Sequence, residues 1–590
     1  MNELDIPQEG ERVQGWGSDV AAQMLRAVGV KYVALNPGAS YRGLHDSLVN
    51  FLGNRDPQML LCLHEDHVVS IAHGYAKATD EMMGAVLHSN VGLMHGLMGV
   101  FNAWCDRMPM LVVGATGPVA PEARRPWIDW IHTSKDQGAL LRDFSKWDDE
   151  PRSPEGIVEA FLRAAQMSRT NPRGPTYVCL DAGLQEQALS KPIAIPDVAR
   201  FQGPPSPSAS AAQTEEVAKL LARAKRPVIL MGRVSRKQDD WDRRVQLAEA
   251  AGASVLTSIR ERSAFPTEHP LHAATPFFWL AKRAKQVLSE ADLILSLDWP
   301  DVNGTLQQCS SDTASLGAQI VHVSMDHTVH NGWSMDYFGL VPAHVSIAAD
   351  ADTFVAQVLP ALKAQLGNEV KWNGESRNVA PVPKYSDNCS VEIAPRDVEV
   401  ALAKARGQSD FSLAHVTIGW AGDVYHFRDP LDFLGHDGGA GLSAGPGITV
   451  GAALALKDVG RTVVSVLGDG DFIQGVSALW TAARYKLPAL FIVSNNRSNF
   501  NDEIHQETMA KKRGRPPENR WIGQRIDEPA VDIAGLARAQ GVDAEGPVTT
   551  VAGLEAAIAR GLQACASGRP YLIDAHVVPG YATPPLSRGA

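Results

Sequence analysis

The sequence predicts an α/β protein built from three doubly wound parallel-sheet domains, and three observations carry that prediction. Short apolar runs alternate with helical patterns along most of the chain, as expected for parallel strands joined by crossover helices. Two Pro-rich, unpatterned stretches, 191–212 and 370–385, interrupt the alternation and divide the chain into 1–190, 191–385 and 386–590. One unit, 463–501, shows strand, Gly-rich turn, helix and second strand in full. At 590 residues the chain is also too long for one hydrophobic core.

In the first domain a helical pattern at 17–29 is followed by strands at 31–35, 59–63, 84–87 and 110–113. The first strand stops at Asn36-Pro37-Gly38-Ala39-Ser40. The second leads to Glu65 within His64-Glu65-Asp66-His67, ahead of a helix at 68–77. The third leads to His88-Ser89-Asn90 and a helix through Phe101 and Trp104. These turns fall on the carboxyl edge of a parallel sheet, where open α/β sheets bind ligands. The second domain starts with a helix at 215–224 and has strands at 227–231, 253–257, 293–297 and 319–323, with no GxGxxG. The third has a glycine-dense loop, 435–447, a small-residue helix at 448–456, the 463–501 unit and a helix-strand tail over 531–575.

Within 463–501 the first strand ends in Gly468-Asp469-Gly470-Asp471, a helix is expected through Trp480 and Tyr485, and the second strand ends in Asn495-Asn496. Asp469 can bind a hard divalent cation, Asn496 offers a neutral carbonyl oxygen, and Ser498 is a third metal candidate. Gly468 and Gly470 let a phosphate approach the backbone. Mg²⁺ takes one or two carboxylates and completes its shell with phosphate and water, so the unit reads as a Mg-diphosphate cradle. Asp471 is expected to turn its carboxylate away and leave its N–H to the phosphate. A lone GDG makes an ordinary turn; GDG followed by 24 residues and NN is much more specific.

That spacing resembles the thiamin diphosphate (ThDP) fingerprint of the ThDP-dependent decarboxylase and acetolactate-synthase family. The NPG turn, Glu65, the GYAKAT helix and NAWCDRMPMLVV resemble the family's N-terminal, pyrimidine-binding domain, and PTEHPLH its middle domain. The resemblance implies ThDP and Mg²⁺ as cofactors, with Asn36, Pro37 and Gly38 at the pyrimidine side. It gives Glu65 the task of promoting the imino tautomer of the aminopyrimidine, for which a shielded carboxylate near protonation is expected. His88, in a VLHSNVG segment like that of benzoylformate decarboxylase, is implied to face the substrate and relay protons. Ala39 departs from that enzyme, which has a serine there. Leu442 is implied to wedge under the cofactor and the Ala440 carbonyl to accept from its amino group. Sites shared between the first domain of one subunit and the third of its partner imply a homodimer or homotetramer.

The implied reaction is decarboxylation of a 2-oxo acid, carboligation, or both. The alternative is a ThDP-dependent lyase or hydrolase of a 2-hydroxyketone or 1,2-diketone, with or without FAD; the missing GxGxxG favours a purely structural middle domain over one that binds FAD. A silent nucleotide-binding scaffold is opposed by the presence of Glu65, Asp469 and Asn496, and an ordinary Rossmann protein by the missing glycine motif. Composition excludes other classes. A net charge of −11 with 21% charged residues of both signs gives no general affinity for nucleic acid or membrane. The single basic cluster, KKRGRPPENR at 511–520, reads as a lid or solvated loop rather than a DNA-binding hook. No run of 18 apolar residues is present, and the N terminus shows no secretory signal. The six cysteines form no CxxC, so a reduced, cytoplasmic protein is expected.

Overall fold

The computed structural model describes residues 5–9, 12–276, 278–310, 313, 316–326, 339–377, 392–407 and 410–580. They form three parallel sheets, each with helices on both faces. The first contains β1 (Tyr32–Leu35), β2 (Gln58–Leu61), β3 (Met83–Leu87), β4 (Met110–Thr116), β5 (Asp148–Asp149) and β6 (Pro175–Asp181), in the order β2-β1-β3-β4-β6-β5. The second contains β7 (Pro227–Met231), β8 (Ser254–Thr257), β9 (Leu293–Leu297), β10 (Gln319–Val323) and β11 (Val345–Ile347), in the order β11-β10-β9-β7-β8. The third contains β12 (Phe411–His415), β13 (Thr462–Gly468), β14 (Ala489–Asn495), β15 (Asp543–Val548) and β16 (Tyr571–His576), in the order β12-β13-β14-β16-β15.

Central strands are apolar at nearly every position because both faces of a parallel sheet are covered. In the first sheet Val33, Leu35, Val86 and Val113 pack on one side with Val20, Leu25 and Phe161 of flanking helices. Ala34, Ala85 and Val112 face the other side, toward Val69 and Val100. The period-2 alternation thus assigns each strand residue to one of two cores.

Several boundaries differ from the sequence reading. β2 ends at Leu61, and Glu65 opens a helix, Glu65–Thr79, rather than closing the strand. His64 makes that start, because its Nδ1 accepts the Asp66 N–H at 3.2 Å. The small-residue helix begins earlier than expected, at Ala444, with Pro446 in its first turn. The helix expected through Trp480 and Tyr485 is two helices, Asp469–Gly475 and Ala478–Arg484. Gly475 ends the first, and a Cβ there would stand 2.5 Å from the Ser443 carbonyl oxygen, so the break lets a neighbouring loop come close. The basic cluster sits at the end of an ordered helix, Phe500–Lys512, and in the turn after it, where Arg520 pairs with Glu503 and Glu507. Of the second Pro-rich stretch, 378–385 lies outside the described residues. Among the described residues no helix is long and apolar enough to cross a membrane.

Candidate active site

β13 and β14 are hydrogen-bonded neighbours with Gly468 opposite Ser494, so the two tips rich in Gly, Asp and Asn end side by side. Asp469 is 4% exposed and, among the described residues, is held by main-chain groups alone. Its Oδ1 accepts from the Gly470 N–H at 2.8 Å and its Oδ2 from the Ser498 N–H at 3.1 Å. The same Ser498 N–H donates to Asn496 Oδ1 at 3.0 Å, which converges the carboxylate and the carboxamide on one amide. Burial pushes the Asp469 carboxyl up to about 6, against the opposing backbone hydrogen bonds. The Ser498 hydroxyl does not face this pair, because it donates to Glu503.

Asp471, as expected, turns its carboxylate elsewhere. Its Oδ1 accepts from the N–H groups of Ser443 at 2.8 Å and Gly445 at 3.4 Å, fixing the start of the Ala444–Leu456 helix. Gly445 is required there, since a Cβ would lie 2.2 Å from Asp471 Oδ2. The preceding loop carries Ala440 in the left-handed region, at φ 57°, and Leu442 half exposed.

On the first domain the ends of β1, β2 and β3 bring Asn36, Glu65 and His88 to one edge. Glu65 is 6% exposed. Its Oε1 accepts from Asn36 Nδ2 at 3.0 Å, and its Oε2 is 3.0 Å from His95 Nδ1. Burial would raise its pKa, but the hydrogen bonds from His95 and Asn36 outweigh burial and the carboxyl lies below its usual range. This corrects the expectation of a carboxyl near protonation: the neighbouring polar side chains outweigh the apolar shielding. Asn36 is fixed in turn, its carbonyl accepting the Tyr41 hydroxyl.

His88 stands beside the NPG turn. A Cβ on Gly38 would fall 2.2 Å from its Cγ, so glycine is what lets the turn and the ring coexist. Pro37 precedes that glycine and links it to Asn36. The His88 Nδ1 is 2.9 Å from Ser40 Oγ, and the His132 ring lies edge-on with centroids 4.9 Å apart. Sequence reasoning missed Ser40, which supplies a hydroxyl one residue after the Ala39 that departs from the pattern. It left His95 without a role, although that ring reaches Glu65. Leu93, one turn into the helix that follows His88, is fully buried in the core. Asn90 donates to the Ile131 carbonyl at 3.1 Å, tying the edge to a rim where Trp127 and Trp130 are largely exposed.

Helices Glu65–Thr79 and Ala444–Leu456 connect the two edges. Added Cβ atoms at Gly74 and Gly451 would come within 2.1 Å of the Ile448 carbonyl oxygen and 2.0 Å of the Ile71 carbonyl oxygen. The helices therefore touch backbone to backbone. Their amino ends meet where Ser443 Oγ donates to Asp66 at 2.6 Å, and nearby the Gly439 N–H donates to Asn102 Oδ1 of the Ser89–Cys105 helix at 2.9 Å.

Comparison with known proteins agrees in each domain. Residues 15–140 match the thiamine pyrophosphate enzyme N-terminal TPP binding domain, 214–358 its central domain, and 416–575 its C-terminal TPP binding domain. The chain is 26% identical to benzoylformate decarboxylase of Pseudomonas aeruginosa over 569 residues, covering 94% of this chain and 97% of that protein. It is 23% identical to the acetolactate synthase large subunit of Haemophilus influenzae over 498 residues, covering 81% of this chain and 82% of that one. The crystal structure of benzoylformate decarboxylase from Polynucleobacter necessarius has the same fold, with a TM-score of 0.78 at 20% identity, covering 96% of this chain and all of that one.

Proposed function

This chain belongs to the thiamine pyrophosphate enzyme family, related to its decarboxylases and acetolactate synthases, and on that premise we propose that it is a ThDP- and Mg²⁺-dependent enzyme acting on a 2-oxo acid. It releases carbon dioxide and passes the remaining acyl unit to a proton, to an acceptor carbonyl, or to both. The observation that carries this reading is Asp469: a buried carboxylate on a sheet edge, converged with Asn496 and held by backbone amides alone. That donor set of hard oxygens fits Mg²⁺. Asp469 and Asn496 would hold the ion, with Ser498 contributing through its main chain, since its hydroxyl is taken by Glu503. Gly468, Gly470 and the Asp471 N–H would line the diphosphate.

Bound ThDP would supply a nucleophilic thiazolium carbon and a sink for the electron pair released with carbon dioxide. The protein's part is orientation and proton control. Glu65, held by Asn36 and His95, would take the pyrimidine-ring contact as an ionised acceptor able to receive a proton. Ala440 and Leu442 would set the height and fold of the cofactor, and His88 would face the substrate. Leu63, Val91, Met94 and Leu442 are 37% to 52% exposed on this chain, which supports sites shared with a partner subunit in a homodimer or homotetramer.

FAD is no part of this proposal, because the middle domain lacks GxGxxG. At the ends of β7, β9 and β10, Arg233 pairs with Asp298 at 3.1 Å and Asp326 at 2.5 Å, and Arg107 lies 2.6 Å from Asp326, beside an open cavity of about 360 Å³.

Carbon dioxide release from a panel of aliphatic and aromatic 2-oxo acids, with ThDP and Mg²⁺ added, tests the reading. Release from at least one acid, abolished in Glu65→Gln, is expected. Silence across the panel with ThDP still bound would sink decarboxylation and leave cleavage of a 2-hydroxyketone or 1,2-diketone.

A further inference from the structure

We propose that Ser40 locks His88 as the neutral imidazole protonated on Nε2, so that His88 acts as a hydrogen-bond donor to the substrate's carbonyl oxygen and not as an imidazolium acid. The assignment of the ring proton rests on the hydrogen-bond network alone; the substrate contact rests on the function proposed above.

The network leaves one consistent arrangement of protons. The Ser89 N–H donates to Ser40 Oγ at 3.1 Å. Ser40 Oγ lies 2.9 Å from His88 Nδ1 and has a single proton to give, and the Ser40 N–H points at the same nitrogen from 3.4 Å. Two donors therefore converge on Nδ1, which must offer its lone pair, and in a neutral imidazole the proton then sits on Nε2. An imidazolium would make Nδ1 a donor facing the Ser40 N–H and would leave the hydroxyl proton to find another acceptor. Water cannot supply one readily, because Ser40 is 3% and Ser89 0% exposed.

The backbone holds this arrangement rigidly. Ser89 sits at φ 46°, an unfavourable conformation for a residue with a side chain, and that turn aims its N–H at Ser40. Gly38 closes against the ring from the other side. The groups facing His88 are His132, Tyr41 at 6.4 Å between ring centroids and, at longer range, Arg125 and Glu65. Burial, His132 and Arg125 disfavour a charged ring, and only Glu65 opposes them. Among the described residues nothing accepts a hydrogen bond from Nε2, so that N–H is available to a ligand. A neutral donor stabilises a carbonyl oxygen as it gains negative charge, without breaking its own N–H bond. Ser40 is a positioning residue in this scheme.

Neutron diffraction from the holoenzyme at neutral pD decides the proton's place whatever the substrate. Deuterium on Nε2 and none on Nδ1 is expected; deuterium on Nδ1 overturns the proposal. Once an acid from the panel is turned over, three variants test the role. His88→Gln, which keeps an N–H near the Nε2 position, should stay within about tenfold of the parent kcat, whereas His88→Leu should lose roughly 100- to 1,000-fold. Ser40→Ala, which removes the hydroxyl donor to Nδ1, should lose roughly tenfold in kcat and show deuterium on Nδ1 in its neutron structure; a variant with parental kcat and deuterium still confined to Nε2 would overturn the lock. Equal damage in the Gln and Leu variants, with ThDP binding retained, would overturn the donor role, as would a histidine titration already present in the parent. If no acid is turned over, the functional reading fails and the diffraction result still stands.

Discussion

Glu65 and Asp469 are both buried carboxylates at the first residue of a helix, yet their surroundings push their acidities in opposite directions. Glu65 receives side-chain hydrogen bonds, one from an imidazole able to carry a counter-charge, and stays ionised. Asp469 receives only main-chain N–H bonds, burial prevails, and its pKa climbs to about 6. The protein supplies Glu65 with its partners, but among the described residues Asp469 has no cationic one. On the proposed roles, the group that would exchange a proton has its environment built in, whereas the group that would bind an ion is left to meet one.

The sharpest break of this contrast is to neutralise each carboxylate in turn. Glu65→Gln should lower turnover about 10²- to 10⁴-fold while ThDP and Mg²⁺ bind almost as before, read by steady-state kinetics beside a cofactor titration. Asp469→Asn should do the reverse at first, weakening Mg²⁺-dependent ThDP binding by roughly 100-fold. Comparable loss of cofactor binding in both variants would erase the distinction. Mixing the two inactive variants and allowing subunits to reassort should restore about a quarter of parental activity if each site draws on two chains, because half the dimers are mixed and each carries one intact site. No recovery after exchange would place the whole site in one chain.

pH separates the two groups further. Asp469 is raised in the folded state, so the metal-free protein binds a proton there more tightly than the unfolded chain does. Its contribution to stability is full below the ordinary aspartate value and falls away as pH rises from about 4 to 6, by about 3 kcal/mol. Added Mg²⁺ should offset that loss above pH 6, so the metal-dependent rise in Tm should be larger at pH 7 than at pH 5. Glu65 has the opposite sign: its stabilisation is present above the ordinary glutamate value and is lost as pH falls through its lowered folded value. The mildest test is His95→Ala, expected to cost about tenfold in turnover through loss of one charge-assisted hydrogen bond and to shift the acid limb of the rate profile upward.

This contrast also shows what the sequence made legible. The three sheets could be read because their central strands are apolar on both faces, and Asp469 and Asn496 because one strand-turn-helix-strand unit fixes their spacing. β15 was missed, since Asp543–Val548 is polar and contains Gly and Pro, and β5 and β11 because two or three residues give no pattern; β6 and β12 were missed although every residue in them is buried. Glu65 was found, but its acidity was not. His95 reaches it across the sheet edge through the packing direction of the Ser89–Cys105 helix, which no local pattern encodes. Ser40 was overlooked for a related reason: its importance lies in a contact with a ring 48 positions away.

The glycine contact between the Glu65–Thr79 and Ala444–Leu456 helices has a practical consequence for engineering. With carbonyl oxygens about 2 Å from where side chains would begin, the joint has no tolerance for insertion of even a methyl group. Recombination with a relative would have to exchange both helices together, because a crossover between them would pair a glycine from one parent with a surface shaped for another. Loops around His88 and Trp127 lie outside that joint, which makes them the natural place to diversify this chain for new substrates.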